Sequence, residues 1–149
     1  MKWRKKIPPK EWVVVRCLHC TAPVSNPVQH FPDATKLKLA DGRVKALVPK
    51  GFYVLRSELP EGYSRKKTGE TVLLNLQDVK ETKPGGIRIG CCGVDGLDGN
   101  NTFCFCGQPL GTEVSDCWTK HYLDFDLENI ELEEVEQPAV SRSCRKRDC

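Results

Sequence analysis

Residues 90–118 read GCCGVDGLDGNNTFCFCGQPLGTEVSDCW, and five of the chain's nine cysteines fall within this stretch. Two more, Cys17 and Cys20, lie near the start in the segment Cys17-Leu18-His19-Cys20. Thiolates two or three residues apart on a tight turn can bind one ion, and glycine lets the backbone fold closely around it. The sequence therefore predicts a structural metal site, with zinc as the ion.

The first choice of ligands combines two short turns from distant parts of the chain. Cys17 and Cys20 have the C-x-x-C spacing of a zinc-binding turn and follow a β-branched run. Cys104 and Cys106 have a tighter C-x-C spacing and are followed by Gly107. Four thiolates at about 2.3 Å from the ion close a tetrahedral structural site. We therefore expect a zinc-ribbon-like centre in which Zn²⁺ is bound by Cys17, Cys20, Cys104 and Cys106.

Three further cysteines leave the ligand set open. Cys91 or Cys92, together with Cys117, could replace one half of the first site, form a second site, or share thiolates in a two-metal cluster. Adjacent residues of an extended chain point to opposite sides, so only one of Cys91 and Cys92 is expected to face a given ion. The other would then pack as a small apolar side chain. His19 and His121 are alternative fourth ligands, although each is more typical of a residue beside such a site.

The order of these motifs resembles that of a known group of proteins. From N- to C-terminus the chain carries Arg16-Cys17-x-x-Cys20, Gly90-Cys91-Cys92-Gly93-x-Asp95-Gly96-x-Asp98-Gly99-x-Asn101, Cys104-x-Cys106-Gly107 and Asp116-Cys117-Trp118. This pattern resembles small, cysteine-rich bacterial proteins of unknown function that are expected to bind zinc. The resemblance implies a metal-binding fold and a bacterial origin, and it implies no activity. The C-x-C turn is one residue shorter than the C-x-x-C turn of that group.

The remaining sequence indicates a mainly β fold with little helix. Strand-like runs recur at 12–16, 71–76 and 123–135, and residues 43–48 and 52–56 flank a turn-forming Pro-Lys-Gly, which predicts a hairpin. We expect a small domain of extended antiparallel strands over residues 1–138, held together by the metal, and a flexible basic tail over 139–149. Residues 121–135 are expected to form an exposed strand whose acidic residues could pair with a partner.

Several features predict a cytoplasmic location. No apolar run approaches the roughly 18 residues that span a bilayer, and the charged start of the chain is not followed by the apolar stretch of a secretory signal. Thiols stay reduced inside the cell, and nine cysteines is an odd number. We therefore expect metal binding rather than disulfides, and no association with a membrane.

The formal net charge of +3 is divided into blocks of opposite sign. Residues 1–16 and 142–149 are basic, whereas residues 124–136 carry seven acidic side chains and no basic one. Basic ends can contact phosphate, and an aromatic side chain among them can stack on a base. Candidate nucleic-acid contacts are therefore Lys2, Trp3, Arg4, Lys5 and Lys6.

The sequence is compatible with three functions. The sequence lacks the motifs of nucleophilic or metal-assisted catalysis, and surplus thiolates tend to close the open position that a catalytic zinc needs. We expect no enzymatic activity and no small-molecule substrate. The leading hypothesis is a zinc-stabilised adaptor that binds another protein within a larger assembly. The alternatives are a nucleic-acid-binding zinc-ribbon protein and a redox sensor that uses Cys92, Cys117 or the tail cysteines Cys144 and Cys149.

Overall fold

Nine strands and four short 3-10 turns make up the described part of the chain. The computed structural model describes residues 11–60, 63 and 69–138. Its strands are β1 (Trp12–Cys17), β2 (Val28–His30), β3 (Phe52–Leu55), β4 (Thr71–Leu74), β5 (Thr82–Pro84), β6 (Thr102–Cys104), β7 (Pro109–Val114), β8 (Tyr122–Asp126) and β9 (Ile130–Glu134). Each 3-10 turn has three residues, and within the described ranges no helix is long and apolar enough to cross a membrane. The expectation of a mainly β protein with little helix is confirmed.

The strands form one mixed sheet in the order β5-β6-β7-β8-β4-β3-β2-β1-β9. The expectation of antiparallel strands holds for all neighbours except β2 and β3, which run parallel. The prediction of a hairpin around residues 49–51 is wrong, because β3 pairs with β2 and not with the segment before the turn. Gln29 N–H donates to the carbonyl of Gly51 at 2.8 Å, so β2 occupies the side of β3 that a hairpin partner would take. The segment before the turn makes only one bridge, from Ala46 to His121.

The sheet curls around one apolar core, and a second core covers its other face. The first core draws buried side chains from eight of the nine strands, among them Val13, Leu74, Leu110 and Phe125. The second lies under the segment that contains Leu37, Leu47 and Val48. Alternate residues of a strand point to opposite faces, so a central strand contributes to both cores. β4 and β8 are accordingly buried along their whole length.

The exposed strand predicted over residues 121–135 is two separate elements. β8 lies inside the sheet between β7 and β4, and a 3-10 turn over Leu127–Asn129 leads to β9 at the sheet edge. Alternating acidic residues suggested an exposed face, yet Asp124 is fully buried and Asp126 nearly so. The acidic side chains of β8 can be buried because other polar groups cover them. The side-chain amide of Asn100, for example, donates a hydrogen bond to the Asp126 carboxylate at 3.0 Å. Only β9 is an edge.

Candidate metal centre

The first cysteine turn continues directly from β1. Cys17 is the last residue of that strand and is fully buried, whereas Cys20 is exposed. The N–H of Cys17 donates to the carbonyl of Ala22 at 3.0 Å, and the N–H of Thr21 donates to the carbonyl of Cys17 at 2.9 Å. Thr21 has a φ of +65°, a left-handed conformation that costs a non-glycine residue about 1–2 kcal/mol. Both thiols of this turn therefore project from a hydrogen-bonded backbone loop.

The second turn joins β6 to β7 and repeats the same arrangement. The N–H of Cys104 donates to the carbonyl of Gln108 at 2.9 Å, and the N–H of Gly107 donates to the carbonyl of Cys104 at 2.8 Å. In both turns the residue directly after the second cysteine has a positive φ, which is +98° at Gly107. The C-x-C turn is thus a C-x-x-C turn with one residue removed, and the shorter spacing still presents two thiols on one side.

The two turns meet, and their four sulfur atoms form one group. Cys17 Sγ lies 3.7 Å from Cys106 Sγ, and Cys20 Sγ lies 3.5 Å from Cys104 Sγ. All four sulfurs are within 4.8 Å of one another. Four thiolates at about 2.3 Å from a tetrahedral zinc stand about 3.8 Å apart, so the spacing fits a metal of that kind.

The pKa values of two thiols in this group are shifted in opposite directions. Burial raises the pKa of the Cys104 thiol to about 12. The backbone N–H of Ala22, together with the neighbouring Cys104 thiol, lowers the pKa of Cys20. A buried thiol gives up its proton readily only when a cation takes its place, and metal binding releases such protons. The arrangement is suited to a bound cation rather than to a free thiolate.

The position of this group in the sheet explains what it holds together. β6 and β1 are six strands apart in the sheet order, which corresponds to about 29 Å in a flat sheet. Their cysteines are nevertheless in contact, so the group bridges the two ends of a curled sheet. Asn129 adds to this bridge. Its carbonyl accepts from Leu18 N–H at 3.1 Å and its side chain accepts from Gln108 at 3.3 Å. Nothing in the sequence pattern singled out this asparagine.

A second group contains the other cysteines named from the sequence. Cys91, Cys92 and Cys117 lie together with Asp116, and their possible ligand atoms are within 4.8 Å of one another. It shares no cysteine with the first group, so replacement of half of that site is not the arrangement seen. Here the structure also differs from the expectation of reduced thiols, because Cys92 and Cys117 are joined as a disulfide. In the sequence Asp116 appears only as the neighbour of Cys117. In the structure its carboxylate accepts hydrogen bonds from the backbone of all three cysteines.

The remaining candidates take no part in either group. His19 is an exposed residue of the first turn, and His121 Nε2 lies 3.0 Å from the carbonyl oxygen of Asp116. The nucleic-acid candidates Lys2, Trp3, Arg4, Lys5 and Lys6 lie outside the described residues, as do Cys144, Cys149 and the predicted tail over 139–149.

Comparison with protein-family models, with curated proteins and with solved structures finds no match to this chain. The resemblance drawn from the cysteine pattern therefore stays a prediction, and the function must be argued from the geometry.

Proposed function

We propose that this chain is a non-enzymatic adaptor: a zinc-stabilised β module that binds a basic strand of another protein. The observation that carries the zinc part is the meeting of four sulfurs, from Cys17, Cys20, Cys104 and Cys106, within 4.8 Å. Four thiolates leave a tetrahedral zinc no open position, which is typical of structural rather than catalytic sites. Two β turns that each supply two thiolates form a zinc-ribbon-like centre.

The binding part of the proposal rests on the open edge of β9. In the described residues β9 pairs with β1 on one side and forms the end of the sheet on the other. An open edge offers unpaired backbone groups to which an extended segment can add as a further strand. The exposed side chains along this edge are Glu131, Glu133 and Glu134. They favour a partner strand that carries lysine or arginine.

The charge of the described residues supports the same choice of partner. The described residues carry 11 Lys and Arg against 18 Asp and Glu, a formal charge of −7, although the whole chain is at +3. An acidic surface attracts basic segments and repels the phosphate backbone of nucleic acid. Nucleic-acid binding would depend on residues outside the described part, so a protein partner is the first choice.

Two exposed apolar side chains lie on the cysteine turns of the metal centre. Leu18 and Phe105 occupy the tips of the two cysteine turns and are 52% and 62% exposed. Leu18 follows Cys17, whose strand partner is Ile130 at the start of β9. Because Leu18 continues β1, it lies on the paired side of β9, so these two side chains form an apolar patch at the metal centre beside the acidic edge, and apolar anchors next to a polar rim are common in protein interfaces.

The test uses short fluorescent peptides of alternating β-branched and charged residues, added to the zinc-loaded chain and followed by anisotropy. We expect a lysine-bearing peptide to bind at least about tenfold more tightly than a glutamate-bearing one, about 1.4 kcal/mol. The double variant Glu131→Lys, Glu134→Lys should reverse this preference.

Two controls separate strand addition from simple charge attraction. The same lysine peptide with alternate backbone nitrogens methylated cannot complete a ladder, so its binding should be lost. Phe105→Ser should weaken the unmodified peptide. Equal binding of the methylated and unmodified peptides, or no preference for lysine, would refute the adaptor proposal. The acidic residues of β9 would then be explained as edge charges that prevent pairing between copies of the chain.

A further inference from the structure

Three cysteines and one buried carboxylate meet at the surface outside the first metal centre. Cys91, Cys92 and Cys117 are at the surface, whereas Asp116 is only 6% exposed. The three sulfurs and a carboxylate oxygen of Asp116 all lie within 4.8 Å of one another. Sulfur and carboxylate donors at such spacings are ligands that zinc accepts.

The carboxylate of Asp116 holds the two cysteine-bearing segments in place. It accepts hydrogen bonds from the backbone N–H groups of Cys117 at 2.8 Å, Cys92 at 3.1 Å and Cys91 at 3.4 Å. The N–H of Cys117 also donates to Cys92 Sγ at 3.0 Å. One buried acidic side chain thus fixes the backbone of all three cysteines, and its negative charge adds to that of any thiolates beside it.

The turn around Cys91 and Cys92 is packed so closely that its flanking glycines cannot be replaced freely. A Cβ at Gly90 would lie 2.0 Å from the carbonyl oxygen of Gly93, and one at Gly93 would lie 2.1 Å from that of Ser115. The N–H of Ser115 donates to the carbonyl of Val94 at 2.8 Å, which joins the turn to the segment that carries Asp116 and Cys117. The positions of the cysteines are therefore set by backbone packing.

The disulfide between Cys92 and Cys117 uses two of the three sulfurs and leaves Cys91 as an exposed thiol. A purely structural disulfide has no need of this third sulfur or of the buried carboxylate. We propose that Cys91, Cys92, Cys117 and Asp116 form a second zinc site, and that the bound ion and the disulfide are alternative states of the same residues. This inference does not depend on the adaptor function, and the zinc counts given below take the first centre to hold one ion, as proposed above.

The exchange between these states balances as a two-electron step. A dithiol reductant gives two electrons and two protons to the Cys92–Cys117 bond, which breaks to two thiols while the reductant becomes a cyclic disulfide. Zinc then replaces the protons of three thiols, which pass to solvent, and Asp116 supplies the fourth donor. In the reverse direction a disulfide oxidant accepts two electrons from the thiolate sulfurs of Cys92 and Cys117, which join as the disulfide. The oxidant takes two protons from solvent and leaves as two thiols, Cys91 takes up a third proton, and the ion dissociates.

The experiment measures zinc per chain in a Cys144→Ser, Cys149→Ser background, which removes the two tail thiols. We expect two zinc ions per chain after treatment with a dithiol and removal of excess reductant, and one after oxidation with a small disulfide. Cobalt substitution gives an independent readout, because thiolate-to-cobalt charge-transfer absorption should appear for two ions in the reduced chain and for one in the oxidised chain.

Cys91→Ser is the decisive variant, because Cys91 takes no part in the disulfide. We expect it to keep the disulfide, measured by mass after alkylation, and to lose the second zinc. Asp116→Asn should lower the zinc affinity of the second site while the first ion stays bound. If Cys91→Ser binds as much zinc as the original reduced chain, or if the reduced chain binds no more zinc than the oxidised chain, the proposal is wrong.

Discussion

The two cysteine groups are built from similar residues but are held by different means. In the first group each pair of cysteines sits on a hydrogen-bonded turn that follows a strand, and two of its four thiols are buried. In the second, no ligand belongs to a strand, and backbone N–H groups converge on one carboxylate instead. A site supported by sheet hydrogen bonds opens only when the sheet does, whereas a site on loops can rearrange locally.

The two groups are expected to differ in how much of the fold depends on them. The first joins strands that are far apart in the sheet order, so its loss should affect the whole fold. The second joins two neighbouring loops, so its loss should stay local. Substitutions in one group, compared with matched substitutions in the other, test this distinction.

The largest effect is expected from Cys104→Ser. A structural thiolate–zinc site contributes on the order of 10 kcal/mol to folding, which is similar to the whole stability of a typical domain at about 5–15 kcal/mol. The variant should lose its zinc and its cooperative unfolding transition, as seen by near-ultraviolet circular dichroism. Cys91→Ser is the matched control and should unfold like the original chain. Cooperative unfolding of zinc-free Cys104→Ser would show that the sheet closes without the first group.

Gly93→Ala tests whether the second group is local. The added methyl would overlap the carbonyl oxygen of Ser115, and overpacking of this kind costs about 1–3 kcal/mol. We expect the Cys92–Cys117 disulfide to form poorly while the zinc of the first group stays bound. Gly42→Ala adds the same methyl where nothing lies within 4 Å and should be silent. Loss of zinc from the first group in Gly93→Ala would contradict the separation of the two.

A smaller pair of effects compares the two turns of the first group. Gly107→Ala meets open space, so its cost should be only the strain of a positive φ, about 1–2 kcal/mol. Thr21→Gly should do the reverse and raise the free energy of unfolding by less than about 1 kcal/mol, because glycine relieves strain but loses more entropy on folding. Denaturant unfolding of zinc-loaded protein measures both. If both substitutions changed the free energy of unfolding in the same direction, the two turns would not have the equivalent backbone conformations described above.

The smallest effect is expected at the link between the first turn and the edge strand. Arg16 pairs with Glu133 at 2.7 Å and donates to the carbonyl of Thr21 at 2.7 Å. Because both side chains are partly exposed, Glu133→Gln should lower the free energy of unfolding by only about 0.5 kcal/mol. The difference should shrink in high salt, which screens the pair. An effect that persists at high salt would assign Glu133 a role other than charge pairing.

The grouping of cysteines was easier to anticipate than the strand order. Short cysteine spacings are local, so the turns at Cys17 and Cys104 could be named from the sequence, and the structure brings these pairs together. The position of β8 inside the sheet could not be predicted from the sequence. Asp124 and Asp126 alternate with apolar residues, and this alternation does not show whether other polar groups cover the two carboxylates. Asn129 and Asp116 were missed because each acts by bonding to backbone that is distant in sequence.

The pairing of β1 with β9 has a consequence for how the chain acquires its fold. Cys17 lies opposite Ile130 and Val13 opposite Glu134, so more than a hundred residues separate the partners. Contacts of such sequence separation slow folding, since a large loop must close before they form. During synthesis the first cysteine turn emerges long before Cys104, Cys106 and β9 exist. If the first group holds the proposed zinc, all four thiolates can bind it only late in synthesis, and until then Cys17 and Cys20 form an exposed pair of thiols.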